Sequence, residues 1–361
     1  MFLNLLFFSQ YANKMDLPIL RRIAEDFDWP PLNVYVYPLN RFPAKFQSRT
    51  TNPRYTVENE LFKIIKNTTL NYDNPKEADL FLVPISISEL SIEDFFSLIE
   101  HLKTLGPYYK EYNGANHIFI QSKYPSNSTG ITKATFLEHP GHILTEGFVV
   151  EGESVKTWVF AKNIVLPLHP FTKSVDDVST KIDKVAVDVS TDNCTPENAK
   201  IRRQLKDALI ENSEFDIYKT KEEALAGIET HKFAIVSACE TPMAQQFYDA
   251  LNSLTIPIVF NNAMRFPFES ELIDYTKFVV HLDENSPEKA ISIPSKLRGY
   301  MNEILPAMKE ARKMLTLSSN DGEYLWALSW SLYMKLLSWL PTRRTKIIDD
   351  IFREPNVFGA A

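Results

Sequence analysis

Apolar positions along the chain switch repeatedly between a strand-like alternation and a helix-like three-to-four-residue spacing. Residues 16–31 form a polar helical pattern that ends at Pro30-Pro31, and Asn33–Tyr37 then alternates as a strand. A helix runs through Ile65. Leu80–Val83 is a buried strand ended by Pro84, and Ser91–Lys103 is again helical. His117 leads into the apolar run Ile118–Ile120, and Trp158–Ala161 is a short strand. Beyond the polar run Thr172–Lys184 the alternation resumes. Val185–Val189 is a strand, Ala199–Leu209 a helix, and 216–227 a short strand and helix. Phe278–Leu282 is a strand, and Glu288–Met301 and Leu305–Leu315 are helices. The aromatic segment Tyr324–Leu340 is a last helix. Strands alternating with helices predict α/β architecture. The polar break predicts two α/β domains with a cleft between them: 1–171, a linker at 172–184, 185–317, and a C-terminal helix region, 318–361, packing back across both.

Residues 232–268 carry the clearest unit. Phe233–Val236 is an apolar run, Ser237–Thr241 a polar corner, and Met243, Phe247, Ala250, Leu251 and Leu254 follow at the spacing of one buried helix face. Ile256–Phe260 closes the unit as a second strand, which gives βαβ size and order. Thr241 suits an N-cap and Pro242 the first helical position. The corner therefore opens onto a helix N-terminus at the carboxyl end of a parallel strand, where open α/β sheets bind ligands.

With 361 residues, 44% apolar and 24% charged, the chain is of ordinary globular composition and long enough for two domains. A net charge of −7 argues against nucleic acid as a partner. The two cysteines, Cys194 and Cys239, make neither a disulfide framework nor a metal-ligand spacing, so no metal site is expected. The apolar start MFLNLLFFSQ is too short for a span and has no basic region before it. Asp26 and Asp28 read as a solvated pair. Asn67, Asn127 and Asn193 head glycosylation sequons, a number that chance supplies.

Several ordered blocks resemble the exostosin-type glycosyltransferases, a family of the GT-B class. Val34-Tyr35-Val36-Tyr37 with Leu39 and Phe46, Tyr55 with Glu58 and Phe62, Pro75 with Glu77-Ala78-Asp79, and Lys162 with Ile164-Val165 fall in the family's order. So do Lys232-Phe233, Asp249-Ala250 at its Glu-Ala, Ile256-Pro257-Ile258 at Ile-Pro-Val, and Phe266-Pro267-Phe268 at Leu-Pro-Phe. Departures cluster near the corner. Ser237 stands where the family has Pro, Cys239 where it has Gly, Gln246 where it has Arg, and Leu254 where it has Gly. Asp188-Val189-Ser190 replaces a Phe-x-Gly-Gly strand end, putting a carboxylate where glycine admits a diphosphate.

The resemblance implies two Rossmann-like domains facing a cleft. It further implies inverting transfer from a nucleotide sugar, a UDP-sugar, to a glycan acceptor, with no cofactor required and a place in the Golgi or secretory pathway. A homo- or hetero-oligomer is open. The donor-contact candidates are Arg202, Cys239, Glu240, Thr241 and Gln246, with Asp249 for the ribose. The candidates for catalysis are His117 and Glu240. Arg202 also reads as a helix-surface ion pair, and His117 as a hydrogen-bonded core residue. The competing class is an inactive member that binds glycans or stabilises a partner. Glu240 favours it, because a carboxylate at a helix N-terminus repels phosphate. A periplasmic-type sugar sensor would share two α/β domains but leaves the ordered blocks unexplained.

Overall fold

Two separate five-stranded parallel sheets organise the chain. The computed structural model describes residues 32–47, 57–66, 71–86, 90–111, 114, 116–121, 142–145, 163–239, 244–262, 264–269, 272–316 and 322–339. The N-terminal apolar stretch, the expected helix at 16–31, the sequons at Asn67 and Asn127, and Glu240 and Thr241 lie outside the described residues.

The first sheet holds β1 (Val34–Val36), β2 (Leu80–Ser86), β3 (His117–Gln121), β4 (His142–Thr145) and β5 (Asn163–Val165), in that spatial order. Its helices are α1 (Val57–Lys66), α2 (Ile92–Leu102) and the single turn α3 (Tyr108–Glu111). Ser91 caps α2 by accepting the Asp94 N–H at 3.1 Å. Phe95, Leu98, Ile99 and Leu102, at i, i+3, i+4 and i+7, form its buried face. The short β4 had no counterpart in the hydrophobic pattern, because four residues are too few to establish a period. A strand forms at 163–165, and the strand expected at 158–161 lies outside the described residues.

The second sheet holds β6 (Ile182–Asp188), β7 (Phe215–Tyr218), β8 (His231–Ser237), β9 (Ile256–Phe260) and β10 (Val280–His281), in the order β10-β9-β8-β6-β7. Read from its other edge this is the doubly wound order 2-1-3-4-5. The strand direction of winding reverses between β6 and β8. Helix α4 (Pro196–Leu209) has Thr195 as N-cap and Pro196 at its first position, and buries Ala199, Arg202, Leu205 and Leu209. Helices α5 (Lys221–Thr230) and α6 (Gln245–Asn252) pack together on the sheet.

Four elements depart from the pattern-based reading. β2 does not end at Pro84 but runs on to Ser86, with a register shift against β3. β6 starts at Ile182, which pairs with His231 through a register shift, so the crossing between sheets runs over 166–181. Buried Lys181 ends that crossing by donating to the carbonyls of Ile228, Glu229 and His231. α6 starts at Gln245 rather than after Thr241, with Ala244 as an N-cap that makes no side-chain bond. The single helix expected over 288–301 is a 3-10 turn, Pro287–Ser292, followed by α7 (Ile293–Arg298). Pro294 cannot donate to the preceding turn, so no continuous α-helix runs through it.

Helix α8 (Met301–Leu315) packs on α9 (Gly322–Trp339). Tyr324, Leu325, Leu328, Trp330, Leu332, Tyr333 and Leu336 of α9 are all buried, so it is a core helix apolar on several sides. One continuous buried cluster takes in residues of both sheets and of α9. Among the described residues no helix is long and apolar enough to cross a membrane.

Candidate functional site

The two strands that flank the reversal point end in polar residues: β6 in Asp188 and β8 in Ser237. The turn of Arg202 into the sheet, one face inward on α4, brings its guanidinium between them. Asp188 Oδ2 accepts from Arg202 Nη1 at 2.8 Å, with the two side chains 5% and 3% exposed. Arg202 Nε donates to the Ala238 carbonyl at 3.0 Å, Nη1 also to the Ser190 carbonyl at 2.8 Å, and Nη2 to the Ser237 carbonyl at 3.1 Å. Arg202 is thus a buried tie between the two strand ends and not a helix-surface residue. The carboxylate expected to repel an anion is already neutralised from within. Gln246, one residue into α6, donates to the same Asp188 oxygen and accepts the Ser237 N–H at 3.3 Å. Ser237 Oγ is buried and has no hydrogen-bond partner among the described residues.

The loops after β6 and β8 are joined covalently. Cys194 and Cys239 form a disulfide across 45 residues, with Cα atoms 4.2 Å apart. The count of two cysteines had suggested no such role. The bond forms because the reversal of winding places both loops at one end of adjacent strands. The Cys239 carbonyl further accepts the Thr195 N–H at 3.1 Å and Asn198 Nδ2 at 2.7 Å, so the start of α4 is occupied by the chain itself.

Beside this junction lies a pocket of about 400 Å³. Its walls come from the strand ends (Asp188, Ser237), the disulfide loop (Cys239), the start of α6 (Gln245, Gln246, Asp249), α5 (Lys221, Glu222) and the crossing (Phe171). Arg202 also reaches it. The lining carries two cations, Lys221 and Arg202, and three carboxyl groups, Asp188, Glu222 and Asp249, which leaves no positive excess.

Asp249 borders the pocket but is only 2% exposed. Its Oδ1 accepts the backbone N–H groups of Phe171 at 2.6 Å and Thr172 at 3.3 Å. Thr172 Oγ1 donates to the Asp249 carbonyl, and Asn252 Nδ2 donates to the Thr172 carbonyl. Burial pushes the carboxyl up to about 6, against the pull of the Phe171, Thr172 and Gln245 donors, and the nearby Glu229 charge pushes the same way. As placed, the residue expected at the ribose holds the crossing against α6.

His117 stands at the start of β3, in the first sheet, and is not among the residues that line the pocket. It is fully buried, with Nε2 2.9 Å from Tyr37 Oη and Nδ1 2.8 Å from Asn116 Oδ1, and its ring stacks on Phe81. A base for an acceptor hydroxyl needs a nitrogen that the acceptor can reach, and this conformation offers none. Of the other candidates, Cys239, Gln246, Arg202 and Asp249 are brought to one pocket. Phe171 and Cys194 were not singled out; the only available signal was that both cysteines sit next to strand ends. Among the described residues no group of three or more His, Cys, Asp or Glu side chains is placed to hold a metal ion.

Two five-stranded parallel sheets, the second doubly wound with a pocket at its carboxyl edge, give an α/β protein of the GT-B class. The Exostosin GT47 domain model matches residues 28–297, and the chain belongs to that family. It is similar to the probable arabinosyltransferase ARAD1 of Arabidopsis thaliana, 26% identical over 139 residues. That match covers 37% of this chain and 31% of the relative, so the chain spans about a third of the curated relative it matches. Among solved structures, a GtfA/B complex bound to UDP and GlcNAc is similar at 10% identity and a TM-score of 0.27, covering 68% of this chain and 56% of that one. The glycotransferase of kitacinnamycin is similar at 11% identity and a TM-score of 0.27, covering 89% of this chain and 80% of that one.

Proposed function

We propose that this chain is a glycosyltransferase that moves a sugar from a nucleotide sugar, a UDP-sugar, to a glycan acceptor with inversion. The observation that carries the reading is the family match over 28–297, which contains both sheets and the pocket at the reversal point. Inverting transfer needs a base for the acceptor hydroxyl and neutralisation of the leaving diphosphate. Glu240, which directly follows the pocket residue Cys239, is the remaining sequence candidate for catalysis. No metal or organic cofactor is required in this reading. The Cys194–Cys239 disulfide fits an oxidising compartment and so supports a place in the secretory pathway, the Golgi.

The test is a panel of nucleotide sugars, UDP-hexoses and UDP-pentoses included, offered with oligosaccharide acceptors and read by mass spectrometry, with the anomeric configuration of any product fixed by NMR. One donor giving an inverted product is the expected result. No transfer from any donor overturns it. One observation favours a second reading, an inactive member that binds glycans or stabilises a partner: all three nitrogens of Arg202 donate to the protein itself. Glycan binding without transfer would be its signature.

A further inference from the structure

We propose that Asp188 is a specificity-determining residue: a built-in anion that occupies the cationic Arg202 and turns the pocket towards the uncharged ring end of its ligand, away from the phosphates. The inference rests on the glycosyltransferase reading for the identity of that ligand, a nucleoside or sugar ring. It goes beyond that reading by saying which part of the donor this pocket grips.

Three observations carry it. First, the Asp188 carboxylate satisfies three donors of the protein: Arg202 Nη1, the Ser190 N–H at 2.8 Å, and Gln246 Nε2. A cation and an amide converging on one oxygen are what a phosphate oxygen would need, and here a side chain supplies the oxygen. Second, the charges bordering the pocket balance or run negative. Lys221 stands beside Glu222, and Arg202 faces Asp188. An anion entering the pocket meets three carboxyl groups (Asp188, Glu222 and Asp249) against Arg202, which is already paired, and one exposed cation, Lys221. Third, the remaining contacts suit a neutral ring. Phe171 borders the pocket with about half of its surface free (52% exposed), and an aromatic face stacks on a base or on the apolar face of a sugar. Ser237 supplies a buried hydroxyl that lacks a partner among the described residues, and the Gln245 carboxamide borders the same space.

The position in the fold explains why one residue has this leverage. Asp188 is the last residue of β6, at the reversal of winding, where the backbone of a doubly wound sheet comes nearest a bound ligand. A glycine there would leave both room and an unpaired guanidinium. Aspartate removes both.

The experiment is calorimetric titration of the full chain with uridine, UDP, sodium pyrophosphate and free monosaccharides, each at low and high salt. The wild-type chain is expected to bind uridine or a monosaccharide, to bind UDP no more than a few-fold tighter than uridine, to show little salt dependence and to ignore pyrophosphate; the uridine and monosaccharide arms tell the two ring sources apart. Asp188→Gly is expected to gain about tenfold or more in pyrophosphate and UDP affinity at low salt, with the gain shrinking at high salt, since each charged hydrogen bond to a phosphate carries that order of affinity. Asp188→Asn keeps the side-chain volume and so guards against a glycine variant that does not fold; it is expected to gain in the same direction by a smaller factor. UDP binding far tighter than uridine in the wild type with a steep salt dependence overturns the proposal, as does unchanged pyrophosphate and UDP affinity in a folded Asp188→Asn. Either result alongside sugar transfer leaves the glycosyltransferase reading standing. A wild-type chain that binds neither nucleoside nor sugar and transfers nothing removes both.

Discussion

Asp249→Asn tests whether the buried carboxylate that holds the crossing carries an electrostatic penalty at neutral pH. In the folded chain its carboxyl is pushed up to about 6, chiefly by burial. In an unfolded chain an aspartate titrates near 3.9. Raised in the fold, this group contributes stability that is complete below about pH 4 and lost as pH climbs to about 6. The gap of about two pKa units corresponds to about 3 kcal/mol between the two limits. Asparagine keeps the Oδ1 acceptor for the Phe171 and Thr172 N–H groups and removes the charge. Relative to wild type it should therefore gain up to about 3 kcal/mol at pH 7 and little at pH 4. Asp249→Ala has the opposite sign, because two backbone donors lose their acceptor at about 1–3 kcal/mol each. Urea unfolding followed by tryptophan fluorescence at several pH values between 4 and 7.5 gives the difference directly, since the other titrating groups cancel between variant and wild type. Identical pH profiles for Asp249→Asn and wild type, or an asparagine variant as unstable as the alanine variant at pH 7, would refute the reasoning.

Other expectations follow from single contacts. Cys194→Ser should lower unfolding stability by up to about 4 kcal/mol, the loop-entropy value for a 45-residue closure, and reducing agent should lower the wild type to the same level while leaving the variant unmoved; equal stability of the oxidised wild type and the variant contradicts it. Gly227→Ala places a Cβ 2.3 Å from Tyr218 Cε2, so the variant should lose about 1–3 kcal/mol, and adding Tyr218→Ala should recover part of that loss in a double-mutant cycle. Purely additive losses in thermal melts would show that the clash is absorbed elsewhere.

The alternation of apolar runs and amphipathic stretches was enough to place most strands, because a strand buried on both faces must be apolar throughout. Ile256–Phe260 is the clearest case: five β-branched or aromatic or proline positions, all buried. The helix after Ser91 was equally legible, since its cap and its buried face are local. Where length was short the pattern failed. The four residues of β4 hold their place only by pairing with neighbours far off in the chain, whereas the strand expected at Phe278–Leu282 forms, trimmed to the two residues of β10 that pair with β9. The replacement of glycine by leucine at 254 is a further case. Leu254 takes φ 51°, with its N–H bonded to the Leu251 carbonyl and the Thr255 N–H to that of Ala250, the helix-ending geometry that glycine adopts without strain. The sequence shows the substitution; only the packing, with Leu254 1% exposed, shows how burial offsets the left-handed backbone.

The candidate site divides in the same way. From the sequence came the residue types, the strand-end corner and the departures at 188, 237, 239 and 246, because these are read off one position at a time. Only the tertiary structure decided what those residues do to one another. Strand order β10-β9-β8-β6-β7 brings residues 188, 202, 237 and 246 together and joins Cys194 to Cys239. It turns Arg202 from a helix cation into a buried tie and Asp249 from a ligand contact into the clasp of the crossing. Charge, burial and hydrogen bonding depend on distances through space. A local pattern fixes which groups are available, and the winding of the sheet fixes which of them meet.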